Sequence, residues 1–274
     1  MQDDDTDGPR DARRADTNTR RWIAIGAVAA VAIAASALVM HHGPTQHAAG
    51  TTAAAPASSR AQLADFRQDQ PSADARLMAN WVVATHDNGH HAFILVDKKD
   101  ARVYVFDPAG HLKDSAPALM GAARGDDIAP GTGDKPLSEI KPDEKITPSG
   151  RFVAEPGQNA NNEDVIWVSY DDAISMHRVR PLVEQERWLE RLATQTVDDN
   201  RISFGCINLP VRFYEDVAKP EVTRYGAVIY VLPEVKTAQQ VFGAYDVTDP
   251  AQVAAAHQAN VKLAAHKGGA AFQG

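Results

Sequence analysis

The chain has 274 residues, 44% apolar and 23% charged, an ordinary composition for a folded protein and enough for one core of about 150 residues with appendages. A net charge of −8 argues against a nucleic-acid partner, which requires a basic surface. A single cysteine excludes a disulfide within the chain.

Residues 1–21 are polar and of mixed sign, with Asp3, Asp4 and Asp5 followed by Arg10, Arg13, Arg14, Arg20 and Arg21. Residues 22–40 carry no charge and would span roughly 28 Å as a helix, which predicts one transmembrane anchor. The arginines ahead of it keep the N-terminus cytoplasmic by the positive-inside rule, so the rest is expected in the periplasm, tethered to the inner membrane by one pass. Ala35 Ser36 Ala37 also reads as a signal-peptidase site, in which case the domain is secreted into the same compartment. In that oxidising space a solitary thiol avoids wrong pairing.

Residues 41–78, rich in Ala, Thr, Ser, Pro and Gln, read as a flexible linker. His41 and His42 have no acidic or thiol partner at ligand spacing, so no metal is expected. A globular domain is expected over residues 79–233. Short β-type runs fall at 81–85, 91–97 and 101–107, with Asp97 Lys98 Lys99 Asp100 as a hairpin connection. The Gly-, Pro- and Asp-rich stretch 122–148 reads as a long ordered loop leading into a strand at 150–155. Further strands are expected at 165–170, 173–179 and 227–232, making a mainly antiparallel sheet or barrel. Between them, residues 181–193 suit a helix with Pro181 in its first turn and Leu182, Leu189, Leu192 and Ala193 on one face. Residues 211–218 read as a second helix. The tail, 234–274, has a helix start at Thr248 Asp249 Pro250 and a thin apolar stripe.

The chemistry concentrates at Ile202 Ser203 Phe204 Gly205 Cys206 Ile207 Asn208 Leu209 Pro210. A nucleophilic Cys needs a base or backbone donors nearby. Gly205 permits a sharp turn that brings main-chain N–H groups toward a substrate carbonyl, and His177, on the alternating run 173–179, is a candidate base. Papain-like enzymes place Cys before His, yet only His257 and His266, both in the tail, follow Cys206.

The order of His177 and then Ser-x-Gly-Cys-x-Asn, with Thr147 Pro148 Ser149 Gly150 Arg151 Phe152 upstream, resembles the L,D-transpeptidase catalytic domain, a family of cysteine enzymes that remodel bacterial peptidoglycan. The resemblance covers roughly residues 79–233. It departs from the family at Phe204, where a second His is usual, at Arg178, where Gly or Ser usually follows the first His, and in the long interval between His177 and Cys206.

The resemblance implies a mainly β fold, a β-barrel or sandwich with a few helices, preceded here by the transmembrane helix. It also implies ping-pong acyl transfer on peptidoglycan stem peptides without a cofactor. Cys206 would be the nucleophile, His177 the base oriented by the carbonyl of Arg178, with Asp198 and Asp199 as alternatives, and the N–H groups of Gly205 and Cys206 the oxyanion donors. Ser203 would support thiol, substrate or turn. Asn208 occupies a position near the substrate in the family. Arg178, Arg201 and Arg212 are candidates to grip stem carboxylates, which a guanidinium meets bidentately. A monomer is expected. The rival readings are a sortase-like protein transpeptidase, with Arg212 or Arg224 as its arginine, and an inactive wall-binding module.

Overall fold

The computed structural model describes residues 61–180, 184–194 and 196–270. The expected membrane span at 22–40 lies outside them. Among the described residues no helix is long and apolar enough to cross a membrane.

The first element is a helix, α1 (Ala73–Thr85), where the run 81–85 predicts a strand. Trp-Val-Val-Ala-Thr alone has β propensity, but from Ser72 onward Ala75, Met78, Ala79, Val82 and Val83 recur at helical spacing and are all buried. Ser72 caps the helix by accepting from the Ala75 N–H at 3.0 Å. Packing of that face, about 1.5–3 kcal/mol for each large side chain, overrides local propensity. The linker expected to reach residue 78 therefore ends earlier. Phe66, ahead of the helix, is 4% exposed and meets the rings of Tyr104 and Phe106 edge-on.

The structure is mainly β with a few helices. One sheet holds five strands, β1 (Ala92–Asp97), β2 (Arg102–Phe106), β3 (Leu112–Pro117), β5 (Gly150–Val153) and β11 (Ala227–Val231), in the order β3-β2-β1-β11-β5. The second is β10-β8-β7-β6, from β6 (Glu155–Gln158), β7 (Asp164–Ser169), β8 (Ile174–Arg178) and β10 (Ile207–Leu209). A two-stranded piece joins β4 (Met120–Gly121) to β9 (Arg201–Ser203). The arrangement is a sandwich of open sheets rather than a closed barrel, and the expectation of mainly antiparallel pairing holds only in part: β1 with β11, β8 with β10 and β4 with β9 run parallel.

Strand β1 is buried at every position, so it reads as a continuous apolar run without alternation. Ile94 and Val96 face a core shared with Ile166, Met176, Ile207 and Leu209 of the second sheet. Phe93 and Leu95 face the opposite way, into a core with α1, Tyr104, Phe106 and Tyr230. Asp97 makes the predicted hairpin turn by accepting from the N–H groups of Lys99 and Asp100 at 3.0 and 3.2 Å.

The helix expected over 181–193 is shorter. Glu184–Glu186 forms a 3-10 turn, Arg187 is left-handed (φ 53°), and α2 covers only Trp188–Ala193. Pro181 and Leu182 of the expected helix lie outside the described residues; among those described, Leu192 packs with Leu119 and Val179, whereas Leu189 is 55% exposed, so the two do not share one apolar face. After β10 the chain continues through α3 (Val211–Phe213), a π-helical turn (Tyr214–Ala218) and α4 (Lys219–Tyr225). The fold also runs beyond residue 233: α5 (Ala238–Phe242) lays Phe242 6.0 Å from the Tyr230 ring, and Ala244 is buried. The tail helix, α6 (Pro250–Ala270), starts where the sequence signal places it, with Val253 and Val261 exposed.

Candidate active site

Period-two alternation builds the site. In β8, Ile174 and Met176 point into the core, which sends Ser175 and His177 to the opposite face. Parallel β10 lies alongside with Ile207 and Leu209 turned inward, so Asn208 sits opposite His177 in register and Cys206 enters the strand beside Ser175. Two residues far apart in sequence thus become neighbours. The Cys206 Sγ lies 3.6 Å from Ser175 Oγ and 3.8 Å from the Ala173 carbonyl, and Cys206 is partly exposed.

His177 Nδ1 lies 2.9 Å from the Arg178 carbonyl. A carbonyl only accepts, so Nδ1 carries the hydrogen and Nε2 is left with its lone pair. Of the orienting groups considered from sequence, the carbonyl is the one in place, whereas Asp198 is 79% exposed and paired with Arg124. Burial opposes the charged forms of both side chains, but their mutual interaction outweighs it. The neighbouring Cys206 sulfur and its negative charge, with the Arg178 carbonyl, raise the His177 pKa above its ordinary value. The neighbouring His177 imidazole and its positive charge, with help from Ser175, lower the Cys206 pKa below that of a free thiol. Each side chain thus favours the charged form of the other.

The turn before Cys206 is fixed from both sides. Gly205 has φ 128°, and a Cβ there would lie 2.6 Å from Ile174 Cδ1 and 2.7 Å from the Ile146 carbonyl, so only glycine fits. The buried Ser203 hydroxyl accepts from the Gly205 N–H at 3.1 Å and donates to the Cys206 carbonyl at 2.6 Å. Ser203 therefore holds the turn rather than the thiol. The Gly205 N–H, expected to face an oxyanion, is already engaged. From the far side, Thr147 donates to the Gly205 carbonyl at 2.7 Å and accepts from the Gly121 N–H at 2.9 Å.

Two of the three arginines are not placed to grip a substrate. Arg178 is neutralised by Asp164, at 2.8 and 2.9 Å, and by Glu215 at 2.6 Å, and it lies over the Tyr214 ring. Asp164 is held down to about 2, chiefly by its bond to Arg178. Arg201 has a side chain 6% exposed, donating to Glu234 and to the Lys98 carbonyl at 2.6 Å each. These carboxylates are remote in sequence, so the pairing was invisible there. Arg212 is exposed at the start of α3. Asn208 is 1% exposed; its amide nitrogen donates to the Cys206 carbonyl at 3.3 Å, while its buried Oδ1 has no partner among the described residues.

The sequence reading missed Ser175, the neighbour of the thiol, although its place two residues before His177 on an alternating strand puts it on the same face. Phe204, noted from sequence as a departure from the L,D-transpeptidase motif, is 37% exposed, with Lys145 Nζ 3.9 Å from its ring centroid. Among the described residues no group of three or more His, Cys, Asp or Glu side chains is placed to hold a metal.

No family profile and no curated protein matches the chain. Among solved structures, it is similar to the helical cell shape determining protein Pgp2 from Campylobacter jejuni at 18% identity and TM-score 0.33, over 55% of this chain and 50% of that one. It is also similar to the Enterococcus faecium L,D-transpeptidase C442S mutant at 16% identity and TM-score 0.28, over 52% of this chain and 50% of that one. The L,D-transpeptidase from Mycobacterium smegmatis gives 17% identity and TM-score 0.29, over 52% of this chain and 58% of that one. The chain spans about half the length of the first two.

Proposed function

We propose that this chain is a cysteine acyltransferase of the L,D-transpeptidase type, acting on peptidoglycan stem peptides outside the inner membrane. The observation that carries the reading is the juxtaposition of Cys206 with His177, whose Nδ1 is tied to the Arg178 carbonyl at 2.9 Å. The motif order of the sequence supports it and supplies the substrate class.

Cys206 Sγ, as thiolate, attacks the carbonyl of the third stem residue, a diamino acid. The C–N bond to the terminal D-alanine breaks, His177 protonates the leaving amine, and a thioester remains. An amine or water then attacks that thioester, giving its proton to Nε2 as sulfur leaves. With the Gly205 N–H engaged by Ser203, the oxyanion falls to the Cys206 N–H and other amides of the turn. The sortase-like reading gains nothing here, since Arg224 lies over the Tyr225 ring and Arg212 is exposed. A polarised thiol likewise weighs against an inactive module.

The test is product analysis with purified tetrapeptide stem fragments. D-alanine release that requires Cys206, with a cross-linked dimer or a tripeptide as product, is expected. Release that persists in Cys206→Ala would contradict the proposal.

A further inference from the structure

We infer that Lys145, seated on the Phe204 ring, reads the C-terminal carboxylate of the peptide substrate; this rests on the function proposed above. The site needs a cation, and two of the arginines expected to supply one are consumed by internal carboxylates. Lys145 is not consumed. Among the described residues no carboxylate lies within ion-pair reach of it, and the acidic residue beside it in sequence, Glu144, is bound by Lys135 at 2.5 Å.

Its position is fixed by backbone on one side and by a ring on the other. The Lys145 carbonyl accepts from the Ala123 N–H at 2.9 Å, and the next residue, Ile146, lies against Gly205. The Nζ stands 3.9 Å from the Phe204 centroid, a cation-π contact that holds the ammonium at the catalytic turn without neutralising it. Phe204 is two residues from Cys206, so the two Cα atoms are at most about 7 Å apart. When Cys206 attacks the penultimate carbonyl, the terminal carboxylate lies one residue further along, about 3.5 Å, a span a lysine on that ring covers. Phe204 thus does what a histidine there would not, since a protonated imidazole would repel the ammonium it now supports.

The full chain is assayed with a stem tetrapeptide as free acid and as C-terminal amide. The wild type is expected to prefer the acid in kcat/KM by about tenfold or more, Lys145→Gln to bring the ratio near unity, and Lys145→Arg to restore it. Added salt should shrink the wild-type preference, because a partly exposed charge contact is screened. A preference unchanged in Lys145→Gln, or insensitive to salt, overturns the inference alone. Failure of the wild type to turn over either peptide overturns the proposed function and this inference with it.

Discussion

At the residue scale the account turns on one proton shared between sulfur and imidazole. The Cys206 pKa is lowered and the His177 pKa raised, each by the other and against burial. Acylation should therefore follow a bell in pH whose two limbs are apparent pKa values of the coupled Cys206–His177 pair. Alkylation by iodoacetamide should show a midpoint below the ordinary thiol value, moving upward in His177→Ala, with acylation slowed by a factor of about 10²–10⁴. A midpoint unmoved in that variant would show that His177 does not polarise the thiol. These two residues were legible in the sequence because a lone cysteine after a glycine has few uses and the alternation around His177 marked a strand. Arg178 and Arg201 were not, since their function depends on Asp164, Glu215 and Glu234, which only folding brings close.

At the scale of elements, the turn before Cys206 hangs between β8 and the segment that leads into β5. Thr147 bridges Gly205 and Gly121, and its own carbonyl accepts from Lys98 Nζ at 3.0 Å. Lys98 is wholly buried, pairing with Asp126 at 3.1 Å and standing 3.7 Å from Glu234, which also binds Arg201. Burial lowers the pKa of this lysine despite those partners, while N–H donors from Lys236 and Glu234, with Ser149 and Lys98, hold Asp126 far below the ordinary carboxylate range in spite of its own burial. Removing the cation takes one partner from two buried carboxylates that keep other donors, so Lys98→Met should destabilise the fold by about 1–3 kcal/mol in urea denaturation. Thr147→Val should cost about 1–3 kcal/mol, yet lower the acylation rate of the folded protein about tenfold or more, because it frees the Gly205 peptide to rotate. A Thr147→Val protein that acylates normally would detach that bridge from catalysis. The sequence showed the Thr-Pro-x-Gly segment but not its partner, the Gly205 carbonyl beside Cys206. It also gave no sign of β3, a half-polar strand at the sheet edge where β propensity is not required.

At the scale of the whole molecule, the five-stranded sheet is covered on one face by α1 and on the other by the second sheet, whose outer side carries the site. The alternation around His177 disclosed one inward and one outward face, but β1 alternates nothing and the end of α1, residues 81–85, reads as a strand, so neither the two-sheet layering nor the helical cover was legible. Stability should follow burial rather than apparent domain boundaries. Phe66→Ala, in what reads as linker, should cost about 3–5 kcal/mol, whereas truncation after Asp249 should shift stability by less than about 0.5 kcal/mol, since α6 presents mostly exposed side chains up to residue 262. Equal losses from the two changes would refute this division.

The most direct test is intact-mass spectrometry of the full chain mixed with a stem tetrapeptide and quenched within one turnover. The account predicts an adduct equal to the peptide less its terminal D-alanine, located on Cys206 and absent from Cys206→Ala. An unmodified mass in a protein whose Cys206 is still alkylated by iodoacetamide would contradict it.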